Sequence, residues 1–308
     1  MNPADNRKFD ALATFAVFGT IAFWTAGAIW IKYLTGFVDV WTQNWLRYVS
    51  ACIFWLPLLF YDVRKGNLEP NIWRLALLPS LVNIIYQTLY IAIYYYLKPA
   101  FIMLLVQFSA IWIGGFSLVF FPQERALITS KRFWAGAILS IAGVVGVIVF
   151  KADFTATKTF TGILIALVST VMWATYTISV KIAFKDVNSR RGFSVISIYT
   201  VCGLSVLAFI IGKPYECLEM TVWPWVCIVV SGILCIGISH VLYYFSIKRL
   251  GATIPAILLL ATPCCALAMS YLFFKETLNI VQCLFGLILL VGCGLAVWAQ
   301  GHLKKSNC

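Results

Sequence analysis

Charge is scarce in this chain. Only 11% of its 308 residues are Asp, Glu, Lys or Arg, against roughly 25% in an ordinary soluble domain. The shortage is deepest on the acidic side, with 11 Asp and Glu against 23 Lys and Arg. None of the acidic residues falls inside a long apolar run, which excludes a proton relay through buried carboxylates. There are two histidines, His240 within an apolar run and His302 in the tail. An enzyme would need a nucleophile, base or metal cluster converging at one depth, and these residue types are too few and too scattered to supply one. CxxC spacing is missing, and eight of the ten cysteines lie inside apolar runs, with only Cys217 and Cys308 in polar segments. That excludes a disulfide framework and the usual zinc patterns. No P-loop and no sizeable polar segment is present to hydrolyse ATP. The sequence therefore predicts a non-enzyme with no cofactor and no metal.

Long apolar stretches are what the chain does have. It is 62% hydrophobic, more apolar surface than a water-soluble fold of this size can cover. A membrane span needs about 20 mostly apolar residues, and ten candidates meet that length: 11–32, 41–61, 73–95, 98–121, 132–150, 160–182, 192–212, 222–246, 251–274 and 278–299. The third and fourth are separated only by Lys98-Pro99, and the eighth and ninth by Lys248-Arg249 and Gly251. Proline disfavours helix in the residue before it, so a turn is predicted at the first of these junctions. The first run lacks a convincing small-residue cleavage site and reads as an uncleaved first helix. The fold class is therefore an all-α integral membrane protein of ten transmembrane helices.

The basic residues lie between these runs and alternate in density. One side collects 16 of the 23, namely Arg7, Lys8, Arg64, Lys65, Arg74, Arg125, Lys131, Arg132, Lys181, Lys185, Arg190, Arg191, Lys248, Arg249, Lys304 and Lys305. The other has 6 (Lys32, Lys98, Lys151, Lys158, Lys213 and Lys275), and Arg47 lies within a span. By the positive-inside rule this places both termini in the cytoplasm, in a multi-pass protein of the cell (inner or plasma) membrane. The partner implied by the basic excess is the lipid headgroup layer of the bilayer, not nucleic acid.

An internal duplication shows faintly. Pro99 to Glu124 slides onto Gly251 to Glu276 without a gap and pairs Ala100 with Ala252, Ile102 with Ile254, Phe121 with Phe273 and Glu124 with Glu276. At a nearly equal offset Trp24 and Lys32 fall on Trp173 and Lys181. Two units follow, 1–153 and 154–308, each of five helices. An odd number of crossings sets them in opposite senses, the inverted-repeat plan that places a binding site near the membrane midplane between halves.

Trp24, Arg47, Tyr90-x-Ala92 leading to Pro99-Ala100, and Glu124 appear in order in the first half. Gly162-x-Leu164, Trp173-Ala174-x-Tyr176, Lys181, Leu250-Gly251-Ala252, Thr262-Pro263, Phe274-Lys275-Glu276 and Gly286 follow in the second. In this order and spacing they resemble the drug/metabolite transporter superfamily in its EamA-like branch, over nearly the whole chain. The first half departs from the pattern: Ala110-Ile111 stands where the second has Thr262-Pro263, and Trp24-Thr25 stands where a Trp-Gly pair is usual. The resemblance implies two inverted five-helix EamA-like repeats, with a central cavity lined by the first four helices of each half.

Polar and aromatic side chains within spans are the candidate substrate-binding residues. Asn83, Gln87, Tyr90 and Tyr94 recur on one face of the third helix, either as a solute pathway or as hydrogen-bonding glue between helices. His240, with Tyr243 and Tyr244 close behind it, either orients a solute or bonds a neighbouring helix. Arg47 has no acidic partner within any span; it either snorkels to the interface, bonds helix-end carbonyls, or meets a substrate carboxylate. Trp24 and Trp173 lie too deep for the interfacial aromatic belt. With Tyr176 and Gln107 they form either an aromatic wall for a solute or plain core packing. Glu124 and Glu276 fit a role in turn geometry, and Gly136, Ser140 and Gly143 make a small-residue stripe suited to close helix approach or to a homodimer.

These features together predict a secondary transporter, an exporter or exchanger of a small organic metabolite such as an amino acid, working by alternating access around a midplane cavity. Without a buried carboxylate, coupling is limited to facilitated diffusion, exchange, or a step that depends on His240. The competing reading is a non-transporting membrane receptor or scaffold that binds a small ligand, for which the short loops offer little docking surface.

Overall fold

The structure is a computed structural model that describes residues 11–121, 130–151, 155–250, 255 and 258–306, the last seven of these by backbone only. Among the described residues the chain is helical, with no strand. The helices are α1 (Ala11–Leu34), α2 (Val40–Arg64), α3 (Ile72–Tyr96), α4 (Pro99–Val106), α5 (Ser109–Phe120), α6 (Lys131–Val149), α7 (Thr157–Ala183) and α8 (Ser189–Ile210). After a 3₁₀ turn at Pro214–Glu219 come α9 (Val222–Gly232), a π-helical segment (Ile233–Ile238), α10 (Ser239–Leu250), α11 (Thr262–Phe274) and α12 (Ile280–Ser306).

Nine of the described helical stretches are long and apolar enough to cross a membrane, counting Pro99–Phe120 and Val222–Leu250 each as one. The ninth predicted span, 251–274, is described as a continuous helix only over Thr262–Phe274, which is shorter than a span. The turn predicted at Lys98-Pro99 is present, since α3 ends at Tyr96 and Pro99 begins α4. All nine described cysteines are free thiols.

Helix ends inside an apolar layer leave backbone groups that water cannot satisfy, and here other helices satisfy them. Glu276, buried beyond the end of α11, accepts from the first amides of α4, Ala100 N at 2.9 Å and Phe101 N at 3.1 Å, and from the Ser270 hydroxyl. Lys32 Nζ donates to the carbonyls of Tyr94 (2.6 Å) and Leu97 (3.1 Å) at the end of α3. Asp39 caps α2 through Trp41 N and Thr42 N and also accepts from Lys213 N at 3.0 Å. Glu276 thus takes the turn-fixing role read from the sequence; its counterpart Glu124 lies outside the described residues.

Two helices tighten at corresponding places. Between α4 and α5 the amides of Ala110 and Ile111 bond to the carbonyls three residues back, the 3₁₀ pattern. Ahead of α11, Pro263 has no N–H to offer the Leu259 carbonyl, and the Thr262 hydroxyl donates to it instead at 2.6 Å.

The α6–α12 pair is the closest packed. A Cβ on Gly143 would lie 2.5 Å from Leu289 N, and one on Gly136 would lie 2.6 Å from Ala296 N. The small-residue stripe therefore serves helix approach within the chain. Gly143→Leu is expected to destabilise the protein by about 1–3 kcal/mol through overpacking. Gly115→Ala, where an added Cβ meets open space, is expected to leave stability unchanged. Thermal unfolding of both variants in detergent checks the pair of outcomes.

Candidate functional site

Trp24 of α1 and Trp173 of α7 meet edge to face at 5.7 Å between ring centroids. Tyr86 packs on Trp173 at 4.9 Å and stacks on Tyr90 at 5.5 Å, while Tyr243 lies 5.1 Å from Trp24. Offset and edge contacts of this kind hold rings in fixed orientations. Trp24 Nε1 is fixed further by donating to Ser239 Oγ at 2.9 Å. These rings wall a cavity of about 140 Å³.

Both tightened turns face this cavity. Gln107, Ser109 and Ala110 reach it from the junction of α4 and α5, and Leu259, Leu260 and Thr262 from the start of α11. The π-helical segment contributes Cys235 and Ile236, and His240 follows one turn later. Irregular helix is tolerated at membrane depth where it is buried in protein or lines a cavity, and π-turns cluster at functional sites.

Arg47 of α2 lines the cavity with 2% of its surface exposed. Its Nε donates to Ser231 Oγ at 2.9 Å. That contact depends on Gly232, since a Cβ there would lie 2.4 Å from the Arg47 carbonyl oxygen, so only glycine lets α9 approach α2 this closely. His240 Nδ1 is 2.9 Å from the Ile236 carbonyl, which can only accept, so this nitrogen carries the proton. Nε2 is buried without a hydrogen-bond partner among the described residues, and in the neutral ring it is an acceptor.

Of the residues singled out from the sequence, Trp24, Arg47, Gln87, Tyr90, Gln107, Trp173 and His240 come together around one cavity. Asn83, Tyr176 and Tyr244 are not among its lining residues. Asn83 Nδ2 donates to Tyr48 Oη and Thr200 Oγ1, both at 3.0 Å, joining α3 to α2 and α8. Tyr176 and Tyr244 share a hydrogen bond between their hydroxyls, and the Tyr176 ring stands 5.6 Å from Trp173. Tyr94, the end of the α3 stripe, bonds Tyr90 through its hydroxyl at 2.8 Å. Sequence reasoning passed over Tyr86, Ser109, Thr170 and Thr262 as lining residues. Tyr86 carried a usable signal, one turn ahead of Tyr90, whereas Thr262 carried only the break that precedes Pro263. Among the described residues no group of three or more His, Cys, Asp or Glu is placed to hold a metal ion.

Apolar helices of spanning length around a cavity walled by aromatic rings and holding a buried guanidinium define a multi-pass membrane protein with an internal polar site. Residues 160–298 match the EamA-like transporter family, the same family that the motifs of the sequence resemble. An uncharacterized transporter of Haemophilus influenzae is 28% identical over 203 residues, covering 64% of this chain. The chain spans 62% of that relative's length. A crystal structure of a protein with 18% sequence identity superposes with a TM-score of 0.60, covering 92% of this chain and 96% of the other. At that identity the likeness concerns the fold alone.

The Arg47–Ser231 bond gives a stability test. Ser231→Ala leaves a buried charged donor unsatisfied and is expected to cost about 1–3 kcal/mol. In a double-mutant cycle with Arg47→Met that cost is expected to vanish, because the donor is gone as well. Thermal melts of the four proteins in detergent measure the coupling.

Proposed function

We propose that the chain is a secondary transporter that exports or exchanges a small organic metabolite across the cell membrane. Access to the cavity alternates as two inverted five-helix repeats, 1–153 and 154–308, rock against each other. The observation that carries this reading is that corresponding parts of both halves meet at one cavity: Trp24 with Trp173, and the turn at Gln107 with the turn at Leu259 and Leu260.

Helix packing supports the same plan. Matching α1 to α7, α2 to α8, α3 to α9–α10, α4–α5 to α11 and α6 to α12 turns each main contact into another one. The packing of α3 on α7 maps onto α10 on α1, that of α3 on α8 onto α9 on α2, and that of α5 on α7 onto α11 on α1. The α2–α8, α4–α11 and α6–α12 contacts map onto themselves. Two pseudo-equivalent halves would produce this pattern.

The proposed orientation, both termini cytoplasmic, draws support from where the charges gather. Arg190 and Arg191 of α8 pair with Asp62 near the end of α2, Arg191 reaches Glu69, and Lys248 Nζ donates to the Val187 carbonyl. All these cations belong to the denser basic group. Lys32 and Lys213 meet α3 and Asp39 at the ends away from that cluster, as the sparse group requires.

Purified protein in proteoliposomes is expected to give saturable flux of a labelled metabolite, reduced at least tenfold by Trp24→Ala or His240→Ala. An absence of flux for every solute in both directions would overturn the transport reading, and a solute that binds without crossing would favour a receptor. A green fluorescent protein fused at the C-terminus is expected to fluoresce, and an alkaline phosphatase fused there to stay inactive. The reverse outcome would refute the orientation and, with it, the pairing of halves.

A further inference from the structure

We infer that the solute held in this cavity is a monoanion, a carboxylate on a flat apolar or aromatic body, with Arg47 as its counter-ion. The inference rests on the transport reading for its consequence across the membrane, while the binding site itself stands on geometry alone.

Arg47 brings a full positive charge into the helical interior. A guanidinium has five N–H donors in a planar fork; here Nε is bonded to Ser231, and the two terminal amino groups have no hydrogen-bond partner among the described residues. No described carboxylate pairs with Arg47, and no acidic residue lines the cavity. The acidic residues nearest the helices are engaged elsewhere, Asp39 and Glu276 on backbone amides, Asp62 and Glu69 on Arg190 and Arg191. The three alternatives for Arg47 therefore separate. It is too buried to have reached the interface, and it bonds a side-chain hydroxyl where a helix-end carbonyl was the second alternative. What remains is a charge facing a cavity, for which an anion from outside the chain is the missing partner. A buried charge without one is strongly unfavourable, and the planar fork fits a carboxylate through two parallel bonds.

The walls select the rest of the solute. Trp24, Trp173, Tyr86, Tyr90 and Tyr243 offer flat apolar faces, suited to a ring or a planar chain. A cage of Trp and Tyr also attracts organic cations, but a cation would share the cavity with Arg47 and be repelled. A zwitterion fares no better at its ammonium end, since His240 supplies no negative charge in either protonation state. The amino acid anticipated from sequence is thereby narrowed to the deaminated acid.

The test uses four probes of one shape against the full-length protein in detergent: 3-phenylpropionate, 3-phenylpropan-1-ol, L-phenylalanine and 3-phenylpropylamine. Binding to the folded state raises the unfolding temperature by mass action. The expected result is that 3-phenylpropionate binds at least tenfold tighter than each of the other three. Arg47→Met is expected to weaken it on the order of 100-fold while leaving the unliganded unfolding temperature no lower than the parent's, a result that a purely structural arginine would not give. Arg47→Lys, which keeps the charge and loses the fork, is expected to weaken the anion roughly tenfold and keep it first in the order. The inference is overturned if none of the four binds, if the alcohol, zwitterion or amine binds as tightly as the acid, or if Arg47→Met retains the parent's affinity. Flux of 3-phenylpropionate in proteoliposomes is scored separately. Binding without flux defeats the transport reading and leaves the anion site standing; flux of another solute without anion binding does the opposite.

Discussion

Backbone polar groups inside a hydrocarbon layer have only the protein itself to bond with, and the whole arrangement depends on how this chain meets that demand. Regular helix does so along its length, so every break needs a partner from elsewhere. The α4 amides find Glu276, the α3 carbonyls find Lys32, and the carbonyl abandoned by Pro263 finds the Thr262 hydroxyl. Each of the first two bonds ties a helix terminus to a residue distant in sequence. The capping groups thereby fix which elements are neighbours and where the interior is left open.

The open interior is then furnished by what those neighbours present. Gly232 brings α9 onto α2, Ser231 orients the Arg47 guanidinium, and Ser239 does the same for the Trp24 indole. Site residues held by second contacts of this kind arrive pre-positioned, so little ordering remains to be done when a solute enters. The arrangement also separates two tasks that polar residues in membranes perform. Asn83 joins three helices through Tyr48 and Thr200, whereas Arg47 and His240 line the cavity, and His240 Nε2 has no hydrogen-bond partner among the described residues.

Much of this was legible in the residues. Spacing gave one face of α3, depth within the spans singled out Trp24 and Trp173, and the lone intramembrane arginine and histidine marked themselves by being expensive to bury. Seven of the singled-out side chains meet at the cavity for that reason. Asn83 and Gln87 are four apart on one helix, yet only Gln87 lines the cavity while Asn83 bonds Tyr48 and Thr200: period alone assigns a face of a helix and not what lies along that face. For Tyr176 and Tyr244 the sequence leaves solute wall and core packing open, and in the structure their hydroxyls bond each other outside the cavity lining. Tyr86 is less legible from sequence than the hydrogen-bonding side chains of its helix because its contribution is a ring face, stacked on Tyr90 and packed on Trp173. The ninth predicted run is continuously apolar in the sequence, yet its described continuous helix begins only at Thr262, because apolar length alone does not show where Pro263 breaks the backbone bonding.

The π-helical turn at Ile233–Ile238 has an implication for how this site arises and varies. One extra residue in a helical turn advances everything beyond it by about 100° around the axis. Upstream, the orientation of Ser231 and Gly232 toward α2 is dictated by backbone proximity; downstream, that of His240 and Tyr243 toward Trp24 is set by the aromatic walls. A uniform helix would lock these two aims together, so that improving one would misdirect the other. With the wide turn between them, the guanidinium's support and the ring cluster can be adjusted independently, and the chemistry at one end of the chamber can change without rebuilding the other.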